Sequence, residues 1–166
     1  MYSYTYDEET GGILLNSTPT IFSKEPRPVY APELDLLGFD KYWKYDNQSD
    51  IPYMWAESVQ YWYRGKQVAK LKGGNLYEAP EIIISKDMEG NLVQPEPDGG
   101  ALRPVDIDRM VKKNLDMIDI IENTTIKKIV NVYEKYKNKL DIFHVAFSGG
   151  KDSAVLLDLV KRALPK

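Results

Sequence analysis

Cysteine is absent from this chain of 166 residues, and histidine occurs once. Without thiols there are no disulfides, no thiolate metal sites and no thiol nucleophile, whatever the compartment. A single imidazole does not assemble an ordinary zinc constellation. His144 therefore reads as a packed or edge residue, and no serine-histidine-acid arrangement can be argued around it. Long apolar runs are missing as well, since none approaches the roughly 20 residues that a membrane span requires. The opening Met1-Tyr2-Ser3-Tyr4 lacks the basic and then apolar regions of a secretory leader, so the expected compartment is the cytoplasm.

The composition that remains is that of a globular protein, with 43% apolar residues, enough for one moderate core or two small ones. A formal charge of −3 conceals an asymmetry: residues 1–100 carry 9 basic and 16 acidic side chains, and residues 101–166 carry 13 and 9. A locally positive field concentrates polyphosphate, although a lysine-rich solvated helix face accounts for most of the same charges.

Aromatic residues are crowded into the first part, where all three Trp and ten of the twelve Tyr precede residue 80. Tyr2, Tyr4 and Tyr6 alternate with polar residues, and Asp7 to Gly12 supplies turn chemistry before Ile13-Leu14-Leu15, which predicts a hairpin. A second is predicted from Tyr61-Trp62-Tyr63, Gly65-Lys66 and Val68 to Leu71. A third is predicted from Ile82-Ile83-Ile84, Glu89-Gly90-Asn91 and Leu92-Val93. Pro26, Pro28, Pro32 and Pro52 interrupt long regular elements between the first two. Residues 1–100 thus read as a β-rich accessory module.

From Pro95 to Pro104 the breakers Pro and Gly are concentrated, which marks the expected domain edge. Beyond it the period becomes helical through Ile107, Met110, Val111, Leu115, Ile118 and Ile121, with Asp106 as the N-cap. A second helical stretch follows through Ile126, Ile129, Val130, Tyr133 and Leu140. Asn123-Thr124-Thr125 is expected to break the two, because these side chains compete for backbone hydrogen bonds. Ile142 to Phe147 reads as a short apolar strand, and Val155, Leu156, Leu159, Val160 and Leu164 mark a final amphipathic helix.

Between that strand and helix lies Ser148-Gly149-Gly150-Lys151-Asp152-Ser153. A glycine-rich turn feeding a helix brings free backbone N–H groups and the positive end of a helix dipole to one point, which suits a phosphate. Gly149 and Gly150 allow unusual dihedrals and close approach. Ser148 and Ser153 offer hydroxyls, and Lys151 a mobile positive charge. Asp152 can hold magnesium, directly or through water, or orient its neighbours. The pattern is neither Gly-x-x-x-x-Gly-Lys-Ser/Thr nor Gly-x-Gly-x-x-Gly. An ordinary strand-turn-helix connection uses the same residue types, but here three hydrophilic residues follow two glycines and none is needed for a core.

The stretch from Val145 to Leu159 resembles the opening of the phosphoadenosine phosphosulfate (PAPS) reductase family, within the PP-loop ATP pyrophosphatases. The resemblance covers residues 141–166. It implies that Ser148, Gly149, Gly150, Lys151, Asp152 and Ser153 bind the phosphates or sulfate of an adenine nucleotide, ATP or PAPS, with magnesium as a possible companion. It further implies an α/β fold, a doubly wound sheet of which this chain supplies the first strand, loop and helix. The remainder of that domain, or a complementing chain, is then a partner. No catalytic residue is assigned. The family's reductases attack the sulfonate with a cysteine, so this chain alone is expected to be inactive. The alternatives are an adenylating sulfur-transfer or thiolation enzyme that releases pyrophosphate, and a non-catalytic nucleotide- or RNA-binding fragment.

Two weaker signals complete the reading. Tyr61, Trp62, Tyr63, Arg64, Lys66, Lys70 and Lys72 mix aromatic and basic side chains as single-strand nucleic-acid binders do, yet hairpin aromatics ordinarily pack across strands and this half is acidic. Asp116, Asp119 and Glu122 interleave with isoleucines and mark the wet side of a helix rather than a carboxylate centre.

Overall fold

The computed structural model describes residues 2–19 and 25–164. Strands and helices combine in a mixed α/β protein, and contacts divide the chain into two compact units, residues 1–114 and 115–166.

In the first unit, β1 (Tyr2–Tyr6) and β2 (Ile13–Pro19) form the expected antiparallel hairpin. Its turn is held by Asp7, whose carbonyl accepts the Gly11 N–H at 2.8 Å and whose carboxylate accepts the Thr10 hydroxyl at 2.7 Å. A separate antiparallel sheet runs in sequence order through β3 (Arg27–Val29), β4 (Met54–Glu57), β5 (Gln60–Tyr63), β6 (Lys66–Lys72) and β7 (Glu81–Ile84). The second predicted hairpin is therefore β5–β6. The third is a short hairpin: the antiparallel bridge of Lys86 with Leu92 is flanked by bonds from the Asp87 N–H to the Asn91 carbonyl and from the Val93 N–H to the Ser85 carbonyl, both 2.9 Å, while β7 pairs with β6. Between β3 and β4, helix α1 (Ala31–Leu37) begins with a proline in its first turn and stops at Gly38, whose left-handed φ of 77° suits the residue without a Cβ.

Period two explains the core of this sheet. Tyr61 and Tyr63 point to one face, 1% and 2% exposed, and pack with Phe39, Met54 and Val68. Trp62 points the other way and stacks on Tyr6 with ring centroids 5.4 Å apart, which joins the hairpin to the sheet. The Trp55 indole N–H adds a hydrogen bond to the Gly11 carbonyl at 2.9 Å.

The breaker-rich segment is tied into this unit. Leu102 and Val105 are buried, and their N–H groups donate to the carbonyls of Lys44 at 2.7 Å and Pro52 at 2.8 Å. The division of the chain lies beyond it, inside the long helix α2 (Ile107–Tyr136). Asp106 is its N-cap as expected, its carboxylate accepting the Arg109 N–H at 3.1 Å. Asn114 then anchors the helix: its side-chain oxygen accepts the Leu15 N–H at 2.7 Å and its NH2 donates to the Ile13 carbonyl at 2.8 Å.

Two expectations for the C-terminal part are corrected. Asn123-Thr124-Thr125 does not interrupt the helix, which is continuous for 30 residues; the Thr125 hydroxyl bonds the Ile121 carbonyl at 2.8 Å, one turn back. A threonine that satisfies itself on the helix's own backbone leaves the ladder intact. Residues 142–147 form no strand, because a strand needs a neighbour for its backbone ladder and none pairs with them among the described residues. In the second unit, α3 (Lys151–Ala163) buries Leu159, and its Arg162 pairs with Glu122 at 2.7 Å. No helix is long and apolar enough to cross a membrane among the described residues.

Candidate phosphate-binding loop

Residues 148–150 turn directly into the first turn of α3, and every residue from Ser148 to Asp152 is exposed. Gly149 carries the turn with φ of 81°, in the left-handed region where a Cβ meets the backbone. Gly150 is the N-cap of the helix, extended at φ −79° and ψ 164°, and no side chain caps the helix from that position. The N–H groups of Lys151, Asp152 and Ser153 have no carbonyl one turn back to bond, whereas Ala154 N–H reaches the Gly150 carbonyl at 3.1 Å.

Ser153 braces this arrangement. Its hydroxyl donates to the Gly150 carbonyl at 2.8 Å and accepts the Ser148 N–H at 3.3 Å, and the two serine hydroxyls lie 3.2 Å apart. Three of the six residues read from the sequence, Ser148, Gly150 and Ser153, are therefore drawn together by hydrogen bonds, with Gly149 in the turn between them. Lys151 and Asp152 stand at the start of the helix with no ion-pair partner among the described residues.

The turn faces open space. Apart from the adjoining backbone, a Cβ built on Gly149 meets no atom within 4 Å, and one on Gly150 meets only the Ser148 hydroxyl oxygen at 3.6 Å. The protein leaves that side of the loop open, where N–H donors and the helix dipole converge. For magnesium the residues offer less: no group of three or more His, Cys, Asp or Glu side chains is placed to hold a metal among the described residues. Asp152 alone can add one oxygen to an ion that arrives with phosphate oxygens and water.

Other sequence candidates fall differently. Tyr61 and Tyr63 are in the core, Trp62 is stacked on Tyr6, and the guanidinium of buried Arg64 donates to the carbonyls of Glu8 at 2.6 Å and Glu9 at 2.8 Å. These rings do not form an open stacking platform, although Lys66, Lys70 and Lys72 remain exposed. His144 is exposed and lines a cleft of about 290 Å³ in the second unit with Ile129, Tyr133, Phe143 and Val160. Asp116 and Asp119 are exposed, and Glu122 is the partner of Arg162.

One polar cluster has no single motif that announces it. The hydroxyls of Tyr4 and Tyr6 both donate to the same Glu57 oxygen, at 2.6 Å and 2.7 Å. Burial, then the bond to the carboxylate, pushes the Tyr4 phenol up to about 12 and raises Tyr6 in the same direction. Both phenols stay protonated at neutral pH and serve as donors that fasten the hairpin to β4. The alternation of Tyr4 and Tyr6 showed that they share a face, but Glu57 is brought there only by tertiary packing.

Among known proteins, an uncharacterized protein of Methanocaldococcus jannaschii is 49% identical to this chain over 59 residues, 36% of the chain. No family model matches the chain, and no solved structure does. The similarity spans 12% of the archaeal protein's length, so the chain is similar to one short part of that longer protein.

Proposed function

We propose that Ser148 to Ser153 form a phosphate-binding loop for an adenine nucleotide, ATP or an activated sulfate of the PAPS type, in a PP-loop domain of the PAPS reductase kind. The observation that supports this reading is one exposed point where a left-handed glycine, an uncapped helix N-terminus and open space coincide. An anion seated there takes hydrogen bonds from the first-turn N–H groups and the favourable end of the helix dipole, worth about 0.3–1 kcal/mol at an exposed site. Lys151 adds a full positive charge on a flexible stem. Whether the complete enzyme reduces an activated sulfate or adenylates a substrate with loss of pyrophosphate, the loop does the same work: it holds phosphates and offsets developing negative charge.

The rest of such a domain, on the same polypeptide or on a complementing chain, is the partner this reading requires. Exposed apolar side chains on both sides of the loop support it: Ile142, Phe143 and Phe147 before, Val155 and Leu156 after. In an α/β domain these positions are covered by neighbouring strands and helices.

The test is a calorimetric and NMR titration of the chain with pyrophosphate and with ATP plus magnesium. The amides of residues 148–154 are expected to shift first. Lys151→Ala should weaken binding about tenfold or more, the loss of one charge-assisted contact. Equal affinity in the variant sinks the assignment.

A further inference from the structure

Strands β5, β6 and β7 have a second face, opposite the core, and their register decides what stands on it. Trp62, which points away from the core, is opposite Gln67; two residues earlier Gln60 is opposite Lys70, which in turn is opposite Ile83 on β7. Cross-strand partners share a face, so Gln67, Lys70 and Ile83 stand together, and Ser85 follows Ile83 at period two. With Lys86 they line an open hollow of about 320 Å³ in the first unit. Residues 1–100 carry 16 acidic side chains against 9 basic ones, yet no carboxylate is among the residues that line it.

The polar groups of the hollow are uncommitted. Among the described residues, neither Lys70 nor Lys86 has an ion-pair partner, and neither the Gln67 side-chain amide nor the Ser85 hydroxyl has a hydrogen-bond partner. The acids next to it in the strands are engaged elsewhere. Glu81 is opposite Lys72, and the Asp87 carboxylate accepts the Glu89 and Asn91 N–H groups, both at 2.9 Å. Two cations, an amide and a hydroxyl are the kinds of side chain that hold the phosphate oxygens of a nucleic-acid backbone.

We infer that this hollow docks the phosphate backbone of a base-paired nucleic acid, at a surface separate from the loop at residues 148–153. Lys70, Lys86, Gln67 and Ser85 supply the phosphate contacts. The base pairing follows from what the face withholds: Tyr61 and Tyr63 are in the core, Trp62 is stacked on Tyr6, and no aromatic ring lines the hollow to stack on unpaired bases. A duplex conceals its bases and presents its phosphates, and contacts of this kind position it without reading its sequence. Salt screens exposed charges beyond about 8 Å, so the positive sign of the hollow governs at contact despite the acidic remainder of the unit.

The full chain is titrated by NMR with a short RNA duplex, a DNA duplex of the same length, a single strand and polyglutamate. The amides of residues 67–72 and 83–87 should shift with a duplex, and log affinity should fall linearly with log salt. Lys70→Gln combined with Lys86→Gln should weaken duplex binding about tenfold and reduce the salt slope by about two. Lys41→Gln should change neither, because its segment packs on the core face, where Phe39 meets Tyr61. A response at those amides that the double variant loses supports the inference with either duplex, and the ratio of the two affinities identifies the source. No shift at those amides, an unaffected double variant, or tighter binding of the single strand or of polyglutamate overturns it.

Discussion

At Glu96 two effects oppose each other within one side chain. Burial disfavours its charge, but the Tyr63 hydroxyl and the Arg103 guanidinium, the latter at 2.9 Å, donate to one carboxylate oxygen, and Arg64 lies 3.9 Å away. The hydrogen bonds and positive charges prevail and hold the carboxyl below the usual range. A group whose pKa is lowered by folding adds stability above its unfolded value, near 4.3, and that stability is lost as pH falls through the lower folded value. Asp7 behaves in the same way: burial opposes its charge, and Lys113 and Thr10 outweigh that. Glu96→Gln should therefore cost about 2 kcal/mol or more in urea unfolding at pH 7, because it leaves the Arg64 charge buried with a weaker partner. It should also flatten the fall in stability between pH 5 and the folded pKa, with the Asp7 contribution remaining. An acid limb identical to wild type would show that Glu96 is not charged in the folded protein. None of this was legible locally, because Tyr63, Arg64, Glu96 and Arg103 come together only through packing.

Among the elements, legibility followed the length and regularity of the pattern. Tyr4 and Tyr6, Tyr61 to Tyr63 and the helical run from Ile107 announce themselves by period, although α2 runs on through the break expected at Asn123-Thr124-Thr125. Strand β3 has three residues and β4 four, and their pairing of Arg27 with Ala56 across a proline-rich interval has no local signal. Helix α1, seven residues with a proline in its first turn, is likewise too short for periodicity to reveal. The anchoring of α2 to β2 belongs to this scale. Asn114, 6% exposed, satisfies the N–H of Leu15 and the carbonyl of Ile13 as a neighbouring strand would. Asn114→Ala leaves both without that partner and should destabilise the first unit by roughly 1–3 kcal/mol. Asn114→Asp should not restore it, since a carboxylate accepts from Leu15 but cannot donate to Ile13. Chemical denaturation of the three proteins checks this, and full rescue by Asp would contradict the donor role.

For the whole molecule, the chemistry available to the chain is limited by its composition. If the resemblance to PAPS reductases carries the mechanism, the sulfonate is taken by a thiolate, and a serine hydroxyl at its ordinary pKa is a far weaker nucleophile. The chain has no cysteine. Purified alone with a thiol reductant, it is expected to release no sulfite from PAPS above the uncatalysed rate, even where pyrophosphate binds to the loop. Turnover in a sulfite assay would overturn the family mechanism carried to this chain.

The sequence by itself determined the absence of thiol chemistry, the hairpin of β1 and β2, the start of α2, the helix α3, and the candidate loop between residues 148 and 153. These depend on residue type or on periods spanning a few neighbours, which local sterics and burial translate directly into structure. Only the tertiary structure decided that Tyr61 and Tyr63 belong to a core, that residues 102–105 are held in the first unit, and that residues 142–147 have no strand to pair with among those described. Each of these depends on partners far away in the chain. A ladder, a buried ion cluster or a packed ring exists only once both sides are present, and no local pattern states where the other side will be.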